Sequence, residues 1–127
     1  MIKNFIKVRT EFEGFHCYPN AGEIDPRISF LEKEHRHMFK VEIKISVNHL
    51  DRELEFFLVK WALNDFIKAG NQNHKSCEMM CNEILTNHLI PLYGSNRYYE
   101  VIVSEDGESD GIVEFKPITS PGYTIQY

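Results

Sequence analysis

Met38-Phe39-Lys40-Val41-Glu42-Ile43-Lys44-Ile45-Ser46-Val47 is the stretch on which the fold turns. Phe39, Val41, Ile43, Ile45 and Val47 take every second position, with Lys40, Glu42, Lys44 and Ser46 between them. Side chains of a strand point alternately to its two faces, so this period of two predicts a strand with one buried and one solvated side. The same alternation runs from Phe5 to His16, where Ile6, Val8, Thr10, Phe12 and Gly14 interleave with Lys7, Arg9, Glu11 and Glu13. Between the two strands, Cys17 to Phe30 carries Pro19, Asn20, Gly22, Asp25 and Pro26 without a regular period. That segment reads as a long loop, and loops of such length are often functional.

Downstream the period changes. Asp51 can cap a helix reaching about Lys68, with Leu54, Phe57, Leu58 and Trp61 on one stripe and Gly70 closing it. Ser76 can cap a second helix, with Glu78 in its first turn and a stripe of Cys77, Met80, Cys81, Ile84, Leu85 and Leu89. Residues 97–105 alternate again through Tyr99, Val101 and Val103, and the turn 106–111 leads into a fourth strand, Ile112 to Phe115. The predicted order is strand, strand, helix, helix, strand, strand: an α+β domain over residues 1–127, whose last residues, 116–127, form an extended tail. In that tail Tyr123, Ile125 and Tyr127 are suited to pack on a neighbouring subunit.

The composition sets the outer limits. A chain of 127 residues is one domain, and 14 basic against 19 acidic residues give a net charge of −5. Nucleic-acid binding through a dense basic face is therefore not expected. Every apolar run is short and interrupted by charge, so no membrane span or signal-peptide core is predicted, and a cytoplasmic location is expected. Three cysteines, two of them at Cys77 and Cys81 in a helical stretch, argue for reduced thiols rather than a disulfide framework.

Six histidines are many for this length, and three are placed where the spacing can be read. His35 and His37 continue backwards the buried phase of Phe39, Val41 and Ile43, while His16 ends the first strand in the buried phase of Ile6, Val8 and Phe12. Antiparallel pairing of the two strands brings the three imidazoles together where the loop opens. Three neutral imidazoles with a free fourth position are the ligand set of a catalytic zinc site. The competing reading is a group of hydrogen-bonded core histidines; the third histidine, in phase on the adjacent strand, is what favours a metal.

Phe12-Glu13-Gly14-Phe15-His16, Glu32-x-x-His35-x-His37, the alternating strand, two helices and Val101-Ile102-Val103-Ser104-Glu105 resemble the 6-pyruvoyl-tetrahydropterin synthase and 6-carboxy-tetrahydropterin synthase family. The likeness covers residues 5–115. It implies the tunnelling fold, a four-stranded antiparallel sheet with two helices inserted between strands 2 and 3, closed into a barrel by trimers that commonly pair into homohexamers. It also implies Zn²⁺ on His16, His35 and His37, acting as a Lewis acid in a lyase or aldolase-like reaction on the side chain of a dihydroneopterin-like substrate. By the same resemblance Glu105 anchors the ring of a pterin, purine or deazapurine ligand, a task its two acceptor oxygens suit, although at a strand end it also reads as a solvated carboxylate. Glu78 matches the helix-start glutamate that supports ligand binding.

The likeness has gaps. Phe30 and Leu31 stand where the family carries its proton-transfer cysteine, which leaves Glu32 as the general base expected from the E-x-x-H-x-H variant. The family's aspartate-histidine dyad between the helices has no equivalent except His74, which also reads as an exposed loop histidine. Arg36 replaces the usual glycine between the paired histidines and either binds an anionic group or faces solvent. Cys17, directly after His16, is expected on the opposite face and dispensable. The alternative function is a non-catalytic oligomer that binds a purine or pterin; a further one is a structural oligomer without zinc.

Overall fold

The computed structural model describes residues 2–117. Four strands form one antiparallel sheet in chain order: β1 (Asn4–His16), β2 (His35–Val47), β3 (Tyr99–Glu105) and β4 (Ser109–Phe115). The register is continuous, from Asn4 opposite Val47 to His16 opposite His35, and from Ile45 opposite Tyr99 to Phe39 opposite Glu105. β3 and β4 pair from Tyr99 opposite Phe115 to Glu105 opposite Ser109. The sheet is open, with β1 and β4 as its edges. The α+β class and the position of the main helices between the second and third strands are as the sequence predicts.

One face of the sheet is covered. Phe39, Val41, Ile43 and Ile45 of β2 and Val101 and Val103 of β3 are fully buried against Leu63, Met80, Cys81 and Leu89 from the helices. Helix α2 (Phe56–Ala69) supplies Val59, Leu63 and Ile67 to this core. Of the predicted stripe, Leu54 packs against the core just before the helix, whereas Phe57, Leu58 and Trp61 are 58–64% exposed. The first turn of α2 is apolar all round, and the 59-63-67 ridge stays apolar to the end, whereas the 57-61 ridge runs into Asp65 and Lys68. The cap also differs from expectation, since Glu55, not Asp51, accepts a hydrogen bond from Leu58 N at 2.8 Å.

Ser76 caps α3 (Cys77–Ile84) as predicted, accepting from Met79 N at 3.1 Å. The helix then widens into a π turn, Leu85–Leu89, and ends with a short α4, Ile90–Tyr93, before Gly94. The segment after β1 is less irregular than expected: it holds a one-turn helix α1 (Ala21–Ile24) and 3₁₀ turns over Pro26–Glu32. Strand β2 begins at His35 and β4 at Ser109, so the last turn shrinks to three residues. The predicted packing role of Tyr123, Ile125 and Tyr127 lies outside the described residues, as does most of the 116–127 tail.

No helix among the described residues is long and apolar enough to cross a membrane. The cysteines are unpaired.

Two glycines fix how the layers meet at the end of the sheet that bears the histidines. A Cβ on Gly14, opposite His37, would stand 3.0 Å from the Phe39 ring. A Cβ on Gly111 would stand 2.9 Å from both Cys77 Cβ and Glu78 N, so the first turn of α3 lies directly on β4 there.

Candidate metal centre

The register that buries Phe39 also decides where the histidines go. Inward positions of β1 and β2 pair as Phe12 with Phe39, Gly14 with His37 and His16 with His35, so three imidazoles stack beyond the last aromatic layer. Their ring centroids lie 4.6 Å (His16–His35), 4.8 Å (His35–His37) and 5.0 Å (His16–His37) apart, all edge to face. One ligand nitrogen from each falls within 4.8 Å of the others, and the cluster can hold a metal ion.

The hydrogen bonds around the cluster fix the tautomers. His16 Nδ1 donates to Lys75 O at 3.2 Å and His35 Nδ1 donates to Lys33 O at 2.8 Å, since a carbonyl oxygen only accepts. His37 Nδ1 donates to the Asp106 carboxylate at 2.6 Å. That bond, followed by one from Met38 N at 2.9 Å, holds the Asp106 carboxyl below its ordinary range. With each Nδ1 engaged, Nε2 is the ring nitrogen left for a metal, and the Nε2 atoms of His35 and His37 are buried without a hydrogen-bond partner. Leaving such an atom unpaired costs about 1–3 kcal/mol. A metal ion satisfies all three at once, and anchoring of each Nδ1 by a carbonyl or carboxylate is the usual support of metal-bound histidine. The residues present therefore fit a metal of imidazole preference.

Two members of the cluster, His16 and His35, line a cavity of about 560 Å³ together with Cys17, Cys77, His74, Glu78 and Glu105 among others. Glu105 closes β3 on the same face, with Oε1 3.2 Å from His16 Nε2 and Oε2 3.8 Å from His37 Nε2. Cys77 Sγ lies 4.0 Å from Glu105 Oε1, and burial, reinforced by that carboxylate, pushes its thiol up to about 12. Burial likewise holds Cys81 at about 11, and its thiol donates to Gly111 O at 3.2 Å. Both are therefore packing residues rather than nucleophiles.

Of the residues singled out in the sequence, the structure brings His16, His35, His37, His74, Glu78 and Glu105 to one place. Glu32 is not among the residues lining the cavity: its carboxylate accepts a hydrogen bond from Gly22 N at 2.7 Å and ties the 3₁₀ segment to α1. Arg36 takes the outward phase between two inward histidines and pairs with Glu13 at 3.3 Å on the solvated face. Cys17 was expected to face away, but β1 ends at His16, so strand alternation no longer governs it, and it lines the cavity.

Cys17, Glu34 and Asp106 are the site residues that sequence reasoning missed. Cys17 Sγ lies 3.7 Å from His74 Nδ1, and His74 Nε2 lies 3.5 Å from Glu34 Oε2. His74 is held in this thiol–imidazole–carboxylate series by its backbone, which donates to Phe15 O at 2.9 Å and adopts a left-handed φ of 65°. Asn73 braces the same loop by accepting from Phe15 N at 3.2 Å. Left-handed non-glycine residues concentrate at functional sites, where surrounding contacts hold the strain. The polar run 71–76 was the only sequence signal for this arrangement.

The chain matches no protein-family model and no curated protein.

Proposed function

We propose that the chain is a zinc-dependent enzyme of the 6-pyruvoyl/6-carboxy-tetrahydropterin synthase type, acting as a lyase on the side chain of a dihydroneopterin-like substrate. The observation that carries this reading is a cluster of three Nδ1-anchored histidines, two of which, His16 and His35, line a cavity together with Cys17, His74, Glu78 and Glu105. His16, His35 and His37 would hold the Zn²⁺, which supplies Lewis-acid polarisation of a substrate oxygen when bound.

The other steps belong to the chain's own groups. Cys17 faces the cavity with His74 behind it and Glu34 behind His74, so this series takes the proton-moving role that the sequence assigned to Glu32. Glu78 and Glu105 offer carboxylate oxygens to a ring edge bearing two N–H donors, as a pterin or deazapurine presents. The edges of the open sheet, β1 and β4, favour a homo-oligomer, a trimer or hexamer in which they pair between copies and close a barrel.

The alternative is a binding oligomer without turnover, which is favoured by the absence of Glu32 from the cavity lining and its hydrogen bond to Gly22 N. Incubation of the zinc-loaded chain with dihydroneopterin and with its triphosphate, followed by chromatography, separates the two. Consumption that falls about 10²–10⁴-fold in Cys17→Ala and His74→Ala supports the enzyme. A bound pterin recovered intact supports the binding reading, and neither binding nor consumption removes pterins as ligands.

A further inference from the structure

We infer that Glu105 is itself a ligand of the metal in the substrate-free protein, closing its fourth position, and that a substrate must displace this carboxylate to reach the metal. The inference rests on the three-histidine metal centre proposed above and adds a coordination state to it. It starts from the sheet: Glu105 is paired with Phe39, the inward residue next to His37 on the adjacent strand, so its side chain rises on the face of the three imidazoles. Donor atoms of a tetrahedral shell with metal–ligand bonds near 2.0–2.2 Å stand about 3.3 Å apart. Glu105 Oε1 is 3.2 Å from His16 Nε2, at the spacing of co-ligands, and Oε2, 3.8 Å from His37 Nε2, stands slightly beyond it.

The hydrogen bonding points the same way. With Nδ1 of His16 and His37 donating outward to Lys75 O and Asp106, the Nε2 atom of each ring is left facing the Glu105 carboxylate. Such a group of nitrogen and oxygen atoms is complementary to a cation. The Glu105 side chain is 37% exposed at the cavity wall, so it has room to swing away. A ligand able to displace it brings its own oxygen donor to the metal and a pair of N–H groups to receive the freed carboxylate. That chemistry describes a hydroxyl- or keto-bearing side chain on an amidine-containing ring. The carboxylate then serves both states, on the metal when the cavity is empty and on the ring when it is filled.

Cobalt(II) loaded into the full chain tests this, because its visible absorption reports the number and kind of ligands without turnover. In the wild type, azide at moderate concentration is expected to leave the spectrum unchanged, since no position is open. Glu105→Ala is expected to bind cobalt at least about tenfold more weakly, to show a new band with azide, and to regain the wild-type spectrum when acetate is added. Glu105→Gln, which keeps the size of the side chain, should resemble Glu105→Ala before acetate. A wild-type spectrum that azide shifts at once, or a Glu105→Ala spectrum and affinity matching the wild type, overturns the inference while leaving the three-histidine centre intact. Failure of the wild type to take up cobalt removes the centre itself.

Discussion

Asp106 is the part of the centre where a single substitution isolates one physical effect. Its carboxylate accepts from His37 Nδ1 at 2.6 Å and from Met38 N at 2.9 Å, so it sets both the tautomer and the tilt of that imidazole. His16 and His35 are oriented by backbone carbonyls, which no side-chain change removes. Asp106 also has a left-handed φ of 54°, a conformation that glycine adopts freely. Asp106→Gly therefore deletes the carboxylate without straining the turn. Loss of a carboxylate behind a metal-bound histidine typically weakens metal affinity by about 10–100-fold, and that is the magnitude expected here. Asp106→Asn, which keeps one acceptor oxygen but not the charge, should fall between. Zinc affinity measured by competition with a chromophoric chelator reads the effect, with circular dichroism confirming the fold. An Asp106→Gly affinity equal to the wild type would refute the reasoning, because His37 would then need no orienting partner.

Glu53 should govern acid stability at the other end of the sheet. Arg97 donates to both its oxygens, at 3.0 and 2.9 Å, and with Asn48 N holds the carboxyl at about 2, against an ordinary 4.5. A depressed carboxyl stabilises fully above its unfolded value and loses that contribution as pH falls from 4.5 toward 2. Glu53→Gln should cost on the order of 2 kcal/mol at neutral pH by denaturant titration; the deficit should shrink through that window, and a pH-independent deficit would contradict the ion-pair account. Iodoacetamide should label Cys17, which is half-buried, well before Cys77 and Cys81, which are buried; mass spectrometry showing equal labelling in the folded chain would count against the packing. Gly111→Ala should lower stability by about 1–3 kcal/mol, because its methyl meets the backbone of α3 rather than a yielding side chain. An unchanged thermal midpoint would mean that α3 can lift off β4.

The parts of the fold legible in the sequence were those governed by period. Alternation in 38–47 and 5–16 fixed which residues of β1 and β2 face inward, and that one bit of information brought His16, His35 and His37 together. Where period gave way to tertiary choice, reading failed. Helix α2 is apolar on more than one side of its first turns, so packing, not pattern, selected Val59 and Leu63 over Phe57 and Trp61. Cys17 lies one residue past the end of a strand, where alternation carries no information. The meeting of Cys17, His74 and Glu34 joins the two ends of the β1–β2 connection to the loop before α3, held by backbone hydrogen bonds that no local pattern encodes. Asp106 looked like a turn residue and is one, but the turn aims its carboxylate at His37.

Metal content of the tag-free full chain tests the central claim most directly. After zinc reconstitution and gel filtration, elemental analysis should find about one zinc per chain, the capacity of a single three-histidine site. His16→Ala, His35→Ala and His37→Ala should each lose that zinc while keeping the far-ultraviolet spectrum of the wild type. A folded wild-type chain that retains no zinc, or variants that retain as much as the wild type, would contradict a metal centre built on these three histidines.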